Sequence, residues 1–91
     1  MNPVRPIWFY TYVLISQKDG KFYTGVTNNL KRRFEQHNAG LGFSTKHRVP
    51  LKLIYFEACL NKDDAYRRER YLKTGMGKRF LKNRFKGGLT G

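Results

Sequence analysis

"YTGVTNNLKRRFEQH", residues 23–37, decides how this chain is read. It starts as the end of a strand that runs through Thr27. Asn28 then has the side chain to cap a helix from residue 29 to about 38, because its oxygen can accept from the free amides of a first turn. Lys31 and Glu35 stand at supporting i,i+4 spacing, and Gly40 and Gly42 are placed to end the helix. Leu30 and Phe34 are its only apolar pair. At about 100° per residue Arg33 and His37 fall on the flank of that pair, which sets them over a sheet edge rather than out in water. Arg32 and Lys31 point further away. Arg33 has the forked donor geometry that suits phosphate oxygens, and it could equally serve as a strut between helix and sheet.

Working outward, residues 8–16 are apolar and aromatic nearly throughout, the pattern of a central strand covered on both faces. "KDGK" follows, and Asp-Gly predicts a two-residue hairpin. That turn would set Ser16 opposite Tyr23, Leu14 opposite Gly25 and Tyr12 opposite Thr27. Tyr12 and Tyr23 then share one face with the side-chain-free Gly25 between them. They would lie roughly 13 Å apart on straight strands at 3.3 Å per residue, unless twist or a bulge narrows the gap. "LGFSTKHRVP" reads as a polar, basic loop. Residues 51–58 form a third strand, Asn61 opens a helix that runs to Lys73, and Gly75 and Gly77 separate it from a last basic helix over residues 78–85. Strands interrupted by helices of this length predict an α+β domain with a small, mostly antiparallel sheet.

With 91 residues the chain is long enough for one modest core. The single-domain expectation is a core over about residues 8–85 with loose tails at 1–6 and 86–91. Nineteen Lys and Arg against six Asp and Glu leave a net charge of +13, which points to a polyanion. The basic residues Lys31 and Arg32, Lys46, His47 and Arg48, and Lys78, Arg79 and Lys82 are the candidate contacts. The apolar run from Ile7 to Ile15 is far short of the roughly 20 residues that span a bilayer, and residues 1–6 lack a signal-peptide layout, so no membrane role is expected. The one cysteine, Cys59, fits a reducing, cytoplasmic setting and reads as a small core residue.

The carboxylates narrow further. Asp19 lies in the turn, Asp63 and Asp64 at a helix start, and Glu35 opposite Lys31. Glu69 shares a helix face with Ala65 and Leu72, where an acid is costly unless it is paired or ligates a metal. Glu57 is its rival. A metal site here would rest on one carboxylate, with water and phosphate oxygens completing a Mg²⁺ shell; a buried pair of Glu69 with an arginine is the other reading.

Taken together, these pieces resemble the GIY-YIG nuclease superfamily. "YTY" (residues 10–12) stands where its first signature sits and "YTG" (residues 23–25) where its second sits. "VTNNLKRRFEQHN" is similar to its helix, with Arg33 ten residues after the second tyrosine. "STKHRVPLKLIYFEA" and "DDAYRRERYLKTGMGKRFLKN" resemble its small standalone branch, related to the catalytic module of the bacterial excision-repair nuclease. The resemblance covers residues 8–85. It implies a three-stranded antiparallel sheet with a central first strand, flanked by about three helices. It also implies an endonuclease using one Mg²⁺ or Mn²⁺ ion, acting on nucleic acid, DNA ahead of RNA, and selecting structure or damage rather than sequence. On that pattern Tyr12 would help deprotonate the attacking water and Tyr23 would orient water or phosphate. Arg33 would stabilise the pentavalent phosphate, His37 would assist near the leaving side, and Glu69 would hold the metal. Asn83 matches a late asparagine of some relatives. The first signature carries tyrosine at position 10 in place of glycine, which makes Tyr10, on the same face as Tyr12, a second candidate for the reactive tyrosine. The rival from another class is a basic nucleic-acid-binding module that stacks bases on sheet aromatics without cutting. A structural subunit of a ribonucleoprotein is a third reading.

Overall fold

The structure, a computed structural model, describes residues 5–85 and 87. The expected tails lie for the most part outside the described residues. The order is β1 (Phe9–Ser16), β2 (Phe22–Thr27), α1 (Leu30–Asn38), β3 (Leu51–Cys59), α2 (Lys62–Leu72) and α3 (Gly75–Arg84). The sheet is antiparallel in the order β2-β1-β3, so the most apolar segment is indeed the central strand. The α+β class and the sheet-plus-three-helices architecture are those expected from the sequence.

Alternation along β1 divides the core in two. Tyr12 and Leu14 join Leu51 on one face, with Leu30 and Phe34 of α1 packed against them. Val13 meets Leu72, Leu81 and Phe85 on the other face, which α2 and α3 cover. A register shift between Val13 and Leu14 leaves Ile54 without a partner on β1. This bulge lets Ile54 and Tyr55 both turn toward the α2–α3 side, while Leu51 and Leu53 serve the α1 side. The buried Thr11 donates to the Ala65 carbonyl at 3.0 Å and ties α2 to the sheet.

The hairpin register differs from the expected one by two residues. Tyr12 pairs with Gly25, Leu14 with Tyr23 and Tyr10 with Thr27. The turn is longer than Asp-Gly alone: Ser16 N–H donates to Lys21 O, and Gly20, at φ +72°, donates back to Ser16 O. The cause is the Ser16 hydroxyl, which accepts from the amides of Lys18 and Asp19 and so rewards a wider loop.

Several boundaries also move. Asn29 rather than Asn28 caps α1, its side chain accepting from Arg32 N–H. Gly40, at φ +78°, ends that helix, with Leu41 N–H reaching Gln36 O and Gly40 N–H reaching His37 O. No ion pair joins Lys31 to Glu35 among the described residues. Gly75 and Gly77 do not break a helix; they lie in the first turn of α3, which Thr74 caps. A Cβ at Gly77 would lie 2.1 Å from the Tyr71 carbonyl oxygen, so glycine is there to let α3 close on the end of α2. Cys59 is half-buried at the end of β3, donating to Asn61 O, and is not a core residue.

Gly77→Ala is expected to cost roughly 1–3 kcal/mol in urea unfolding, because backbone atoms must move to admit the methyl. Gly75→Ala meets nothing within 4 Å and should leave stability unchanged or raise it.

Candidate active site

The corrected register brings the two tyrosines together. Tyr12 now lies diagonal to Tyr23, their ring centroids 6.4 Å apart, less than half the straight-strand separation of the expected pairing. The Tyr12 ring passes over Gly25: a Cβ there would fall 2.5 Å from the Tyr12 hydroxyl. Gly25 is therefore a close-approach glycine, and any side chain would push Tyr12 out.

His37 is the one buried residue of α1 and is 1% exposed. Rather than flanking the apolar stripe, it lies at the deepest point of the helix. Its Nε2 stands 3.0 Å from the Tyr12 hydroxyl and its Nδ1 2.7 Å from Thr45 Oγ1. A neutral imidazole has one donor and one acceptor nitrogen, so the hydroxyls on either side satisfy both. Burial, with the Arg33 guanidinium nearby, holds the His37 pKa below its usual value and keeps it neutral. Gly42 makes the room: a Cβ there would meet Thr45 Oγ1 and His37 Nδ1 at 2.5 and 2.6 Å. Asn38 anchors the end of the helix, pairing its amide with both backbone groups of Leu51.

Tyr12 is 1% exposed, and burial raises its pKa, opposed by Arg33 and reinforced by Tyr23 and Glu69. Three elements thus place polar groups around one phenol: Tyr23 from β2, Arg33 and His37 from α1, and Glu69 from α2. Tyr12 lies deeper than its place in the signature suggests. The Tyr12 phenol is buried and already bonded to His37, whereas Tyr23 is half-exposed and open to solvent. The Tyr23 ring stands edge-on to His37 at 5.0 Å. Tyr10 shares the Tyr12 face, pairs edge-on with Phe56 at 6.0 Å, and lies outside the Tyr12–His37 hydrogen-bond chain.

Glu69 is partly buried beside Ala65 and Leu72, as its spacing suggests, but its partner is a lysine. Lys73 Nζ lies 3.2 Å from Oε2, with the Glu69 side chain 17% exposed and that of Lys73 55%. Glu57, the rival acid, accepts from Tyr55 Oη and Arg68 Nε, each at 2.7 Å, and is spent on structure. Among the described residues no group of three or more His, Cys, Asp or Glu could cage a metal. The donor set nonetheless fits a hard cation held by one carboxylate: the Glu69 charge reaches the Tyr12 phenol, and its exposed lysine partner can swing off it.

The basic residues divide. Lys31 and Arg32 are exposed on α1, Lys46 and His47 on the loop before β3, and Lys78, Arg79 and Lys82 on α3. Lys46 sits over the Phe43 ring at 5.4 Å. Arg48 is no free cation. Its Nη2 donates to Phe22 O, its Nε faces Asp19 at 3.5 Å, and its carbonyl accepts from Ser16, so it clamps the loop to the hairpin. Asn83 is exposed near the end of α3 with no hydrogen bond to the tyrosine cluster among the described residues. Thr45 had no sequence signal beyond membership of a polar loop, and Gly42, expected to help end α1, instead leaves the space in which His37 meets Thr45.

A family model for the GIY-YIG catalytic domain matches residues 8–84. The chain belongs to the GIY-YIG family. Among its relatives is the UPF0213 protein CPE1444 of Clostridium perfringens, 49% identical over 65 residues, 70% of this chain and 69% of that one. The UPF0213 protein SAG0778 of Streptococcus agalactiae is 46% identical over 65 residues, 70% and 73% of the two chains. The solution NMR structure of the UPF0213 protein BH0048 from Bacillus halodurans superposes with a TM-score of 0.53 at 35% identity, covering 90% of this chain and 88% of that one. The GIY-YIG domain is a nuclease-family domain, and no helix among the described residues is long and apolar enough to cross a membrane.

The His37 pKa fixes the sign of a pH effect. Above the ordinary histidine value of about 6.5 both folded and unfolded His37 are neutral. Below it the unfolded chain takes up the proton first, so stability falls as pH drops toward the lowered folded value. Urea midpoints should decline between pH 7.5 and 5.5 in the wild type. His37→Asn should be less stable at neutral pH and show a flatter decline.

Proposed function

We propose that this GIY-YIG domain is a divalent-metal-dependent endonuclease that hydrolyses phosphodiester bonds in nucleic acid. DNA stands ahead of RNA, and structure or damage ahead of sequence, both on the likeness to the excision-repair module; a reducing, cytoplasmic setting is part of the same reading. The observation that carries the proposal is the Tyr12–His37–Thr45 hydrogen-bond chain with the Tyr23 ring packed against it, on whose Tyr12 phenol the Arg33 and Glu69 charges also act.

In hydrolysis a water oxygen bonds to phosphorus and the bond to the leaving sugar oxygen breaks. A proton must leave the water and another must reach the leaving oxygen. Tyr23, the exposed phenol, is the one that can touch that water or the phosphate. Tyr12, His37 and Thr45 form the buried hydroxyl–imidazole–hydroxyl chain behind it, against which the Tyr23 ring packs edge-on, and the two protons exchange with solvent at the exposed Tyr23 phenol. Arg33 offers donors to the charge that gathers on the phosphorane oxygens. Glu69 is the residue that would hold Mg²⁺ or Mn²⁺, through its one carboxylate. Bound there, the ion supplies neutralisation of phosphate charge. Lys31, Arg32, Lys78, Arg79 and Lys82 steer the polyanion.

The rival, a basic binding module without catalysis, draws on the Lys73–Glu69 pair, which gives the carboxylate a structural partner. Purified protein with Mg²⁺ and labelled oligonucleotides separates the two. Glu69→Gln should abolish cleavage while leaving binding intact. Its melting temperature should barely move, since a pair with a half-exposed lysine contributes at most about 1 kcal/mol. Arg33→Ala should lower the cleavage rate about 10²–10³-fold with a much smaller loss of affinity. Arg32→Ala should be mild in both. Full cutting by Glu69→Gln would refute the metal assignment, and no cutting by wild type would leave the binding module.

A further inference from the structure

α1 is held at its C-terminal end, by His37 in the core and by Asn38 on Leu51. At its N-terminal end an open cleft of about 610 Å³ remains between the helix and the outer half of the sheet. Leu30, Phe34 and Leu53 form apolar walls. Tyr10 and Phe56 add two more rings, and Asn28, Asn29 and Lys31 stand at the rim. Phe56 is 51% exposed, which is unusual for a strand phenylalanine with apolar neighbours within reach. Asn29 uses its side-chain oxygen on the helix cap, which leaves its amide nitrogen available, and Asn28 has no side-chain hydrogen bond among the described residues.

Three aromatic rings, two amides and one cation are a particular mixture. An aliphatic ligand would not need the amides, and a bare phosphate would not need the rings. A nucleobase matches both, with apolar faces to stack and a polar edge to hydrogen-bond. The cleft also lies where a nucleotide would be. Tyr10 is two residues from Tyr12 on the same face of β1, about 7 Å along the strand. Phe34 follows Arg33 directly. A second copy of this chain is a poor occupant, because each copy carries a net charge of +13 and the rim contributes Lys31.

We propose that the cleft between α1 and the Tyr10–Phe56 pair holds one unpaired nucleobase, adjacent to the phosphate handled by Tyr23 and Arg33. A base inside a duplex cannot enter it. The preferred substrate therefore presents a single-stranded or extruded nucleotide beside the bond that is cut. The proposal rests on the nuclease reading for the position of that bond; the base site itself does not depend on cleavage.

The test uses full-length protein carrying Glu69→Gln, without metal, so that only binding is read. The probes are single-stranded DNA and RNA oligonucleotides bearing 2-aminopurine, with a blunt DNA duplex for comparison. Phe56→Ala should weaken binding of the preferred single strand about 10- to 100-fold, the range of one base–aromatic stack, and change duplex binding less than about twofold. Fluorescence of 2-aminopurine should be quenched on the parent protein and recover on the variant. Phe56→Leu keeps the apolar contact without the ring face and should behave like Phe56→Ala, which guards against a simple loss of folding. Loss with DNA alone, RNA alone or both supports the site and tells which sugar backbone it prefers. Equal loss on duplex and single strand, or no loss on either, overturns it. So does sedimentation showing a dimer that Phe56→Ala dissociates, which would give the cleft to a second copy. Wild type that never cuts, with these binding differences intact, would sink the nuclease reading and leave the base site standing.

Discussion

The constraint on which this fold depends is the placing of a tyrosine ring flat across a glycine in the neighbouring strand. Tyr12 occupies the middle of the central strand, and only Gly25 opposite gives it room to lie over the sheet. In that pose its hydroxyl is buried and must find a partner, since an unpaired buried hydroxyl is costly. His37 supplies the partner, which fixes the depth and rotation of α1. The second imidazole nitrogen then needs one of its own, and Thr45 provides it only because Gly42 leaves space. Two glycines and three polar side chains from β1, β2, α1 and the loop before β3 thus form one satisfied unit. Removing one of the three side chains strands the polar atom of its partner, and a side chain at either glycine pushes the bonded atoms apart.

That unit separates the site into two layers. The inner layer is buried and close to neutral, as the raised Tyr12 pKa and the lowered His37 pKa indicate. The outer layer consists of Tyr23, Arg33 and Glu69, all partly exposed and able to touch a ligand. Arg33 and Glu69 act on the same phenol with opposite sign, Arg33 the more strongly, and burial outweighs both. Around both layers the surface is basic. Such a surface favours polyanions, and Glu69 is the acid among the described residues whose charge reaches the Tyr12 phenol, so a phosphate brought there would need a cation beside the carboxylate.

Much of this was legible from residue types. The apolar run at the first strand named the centre of the sheet, and alternation placed Tyr12 and Tyr23 on a common face. Spacing on α2 separated Glu69 from the acids at turns and caps. The failures share a cause: a side chain competing with the backbone, or a contact distant in sequence. Ser16 widened the hairpin by capturing two amides, which turn propensities for Asp-Gly do not register. Gly77 looks like a breaker along the chain and becomes a contact once α3 folds onto α2. Arg48 is one cation among many until the hairpin carbonyl of Phe22 and the Asp19 carboxylate are beside it. His37 reads as a flank residue at helical periodicity, because periodicity knows nothing of a hydroxyl waiting in the sheet.

The thin apolar stripe of α1 follows from the same physics. A helix of nine residues with one apolar pair cannot dock by burial alone. It docks by specific polar contacts instead: His37 to Tyr12 and Thr45, and Asn38 to both backbone groups of Leu51. These lie in the last turn, so the helix is fastened at one end. Leu30 and Phe34 are then free to pack on the Tyr12–Leu14–Leu51 cluster with one side only, and their other side remains open. Had the stripe been wider, α1 would close onto Tyr10 and Phe56 and bury them. Anchoring through hydrogen bonds keeps apolar surface uncovered next to the tyrosine cluster, where a ligand rather than the protein can complete it.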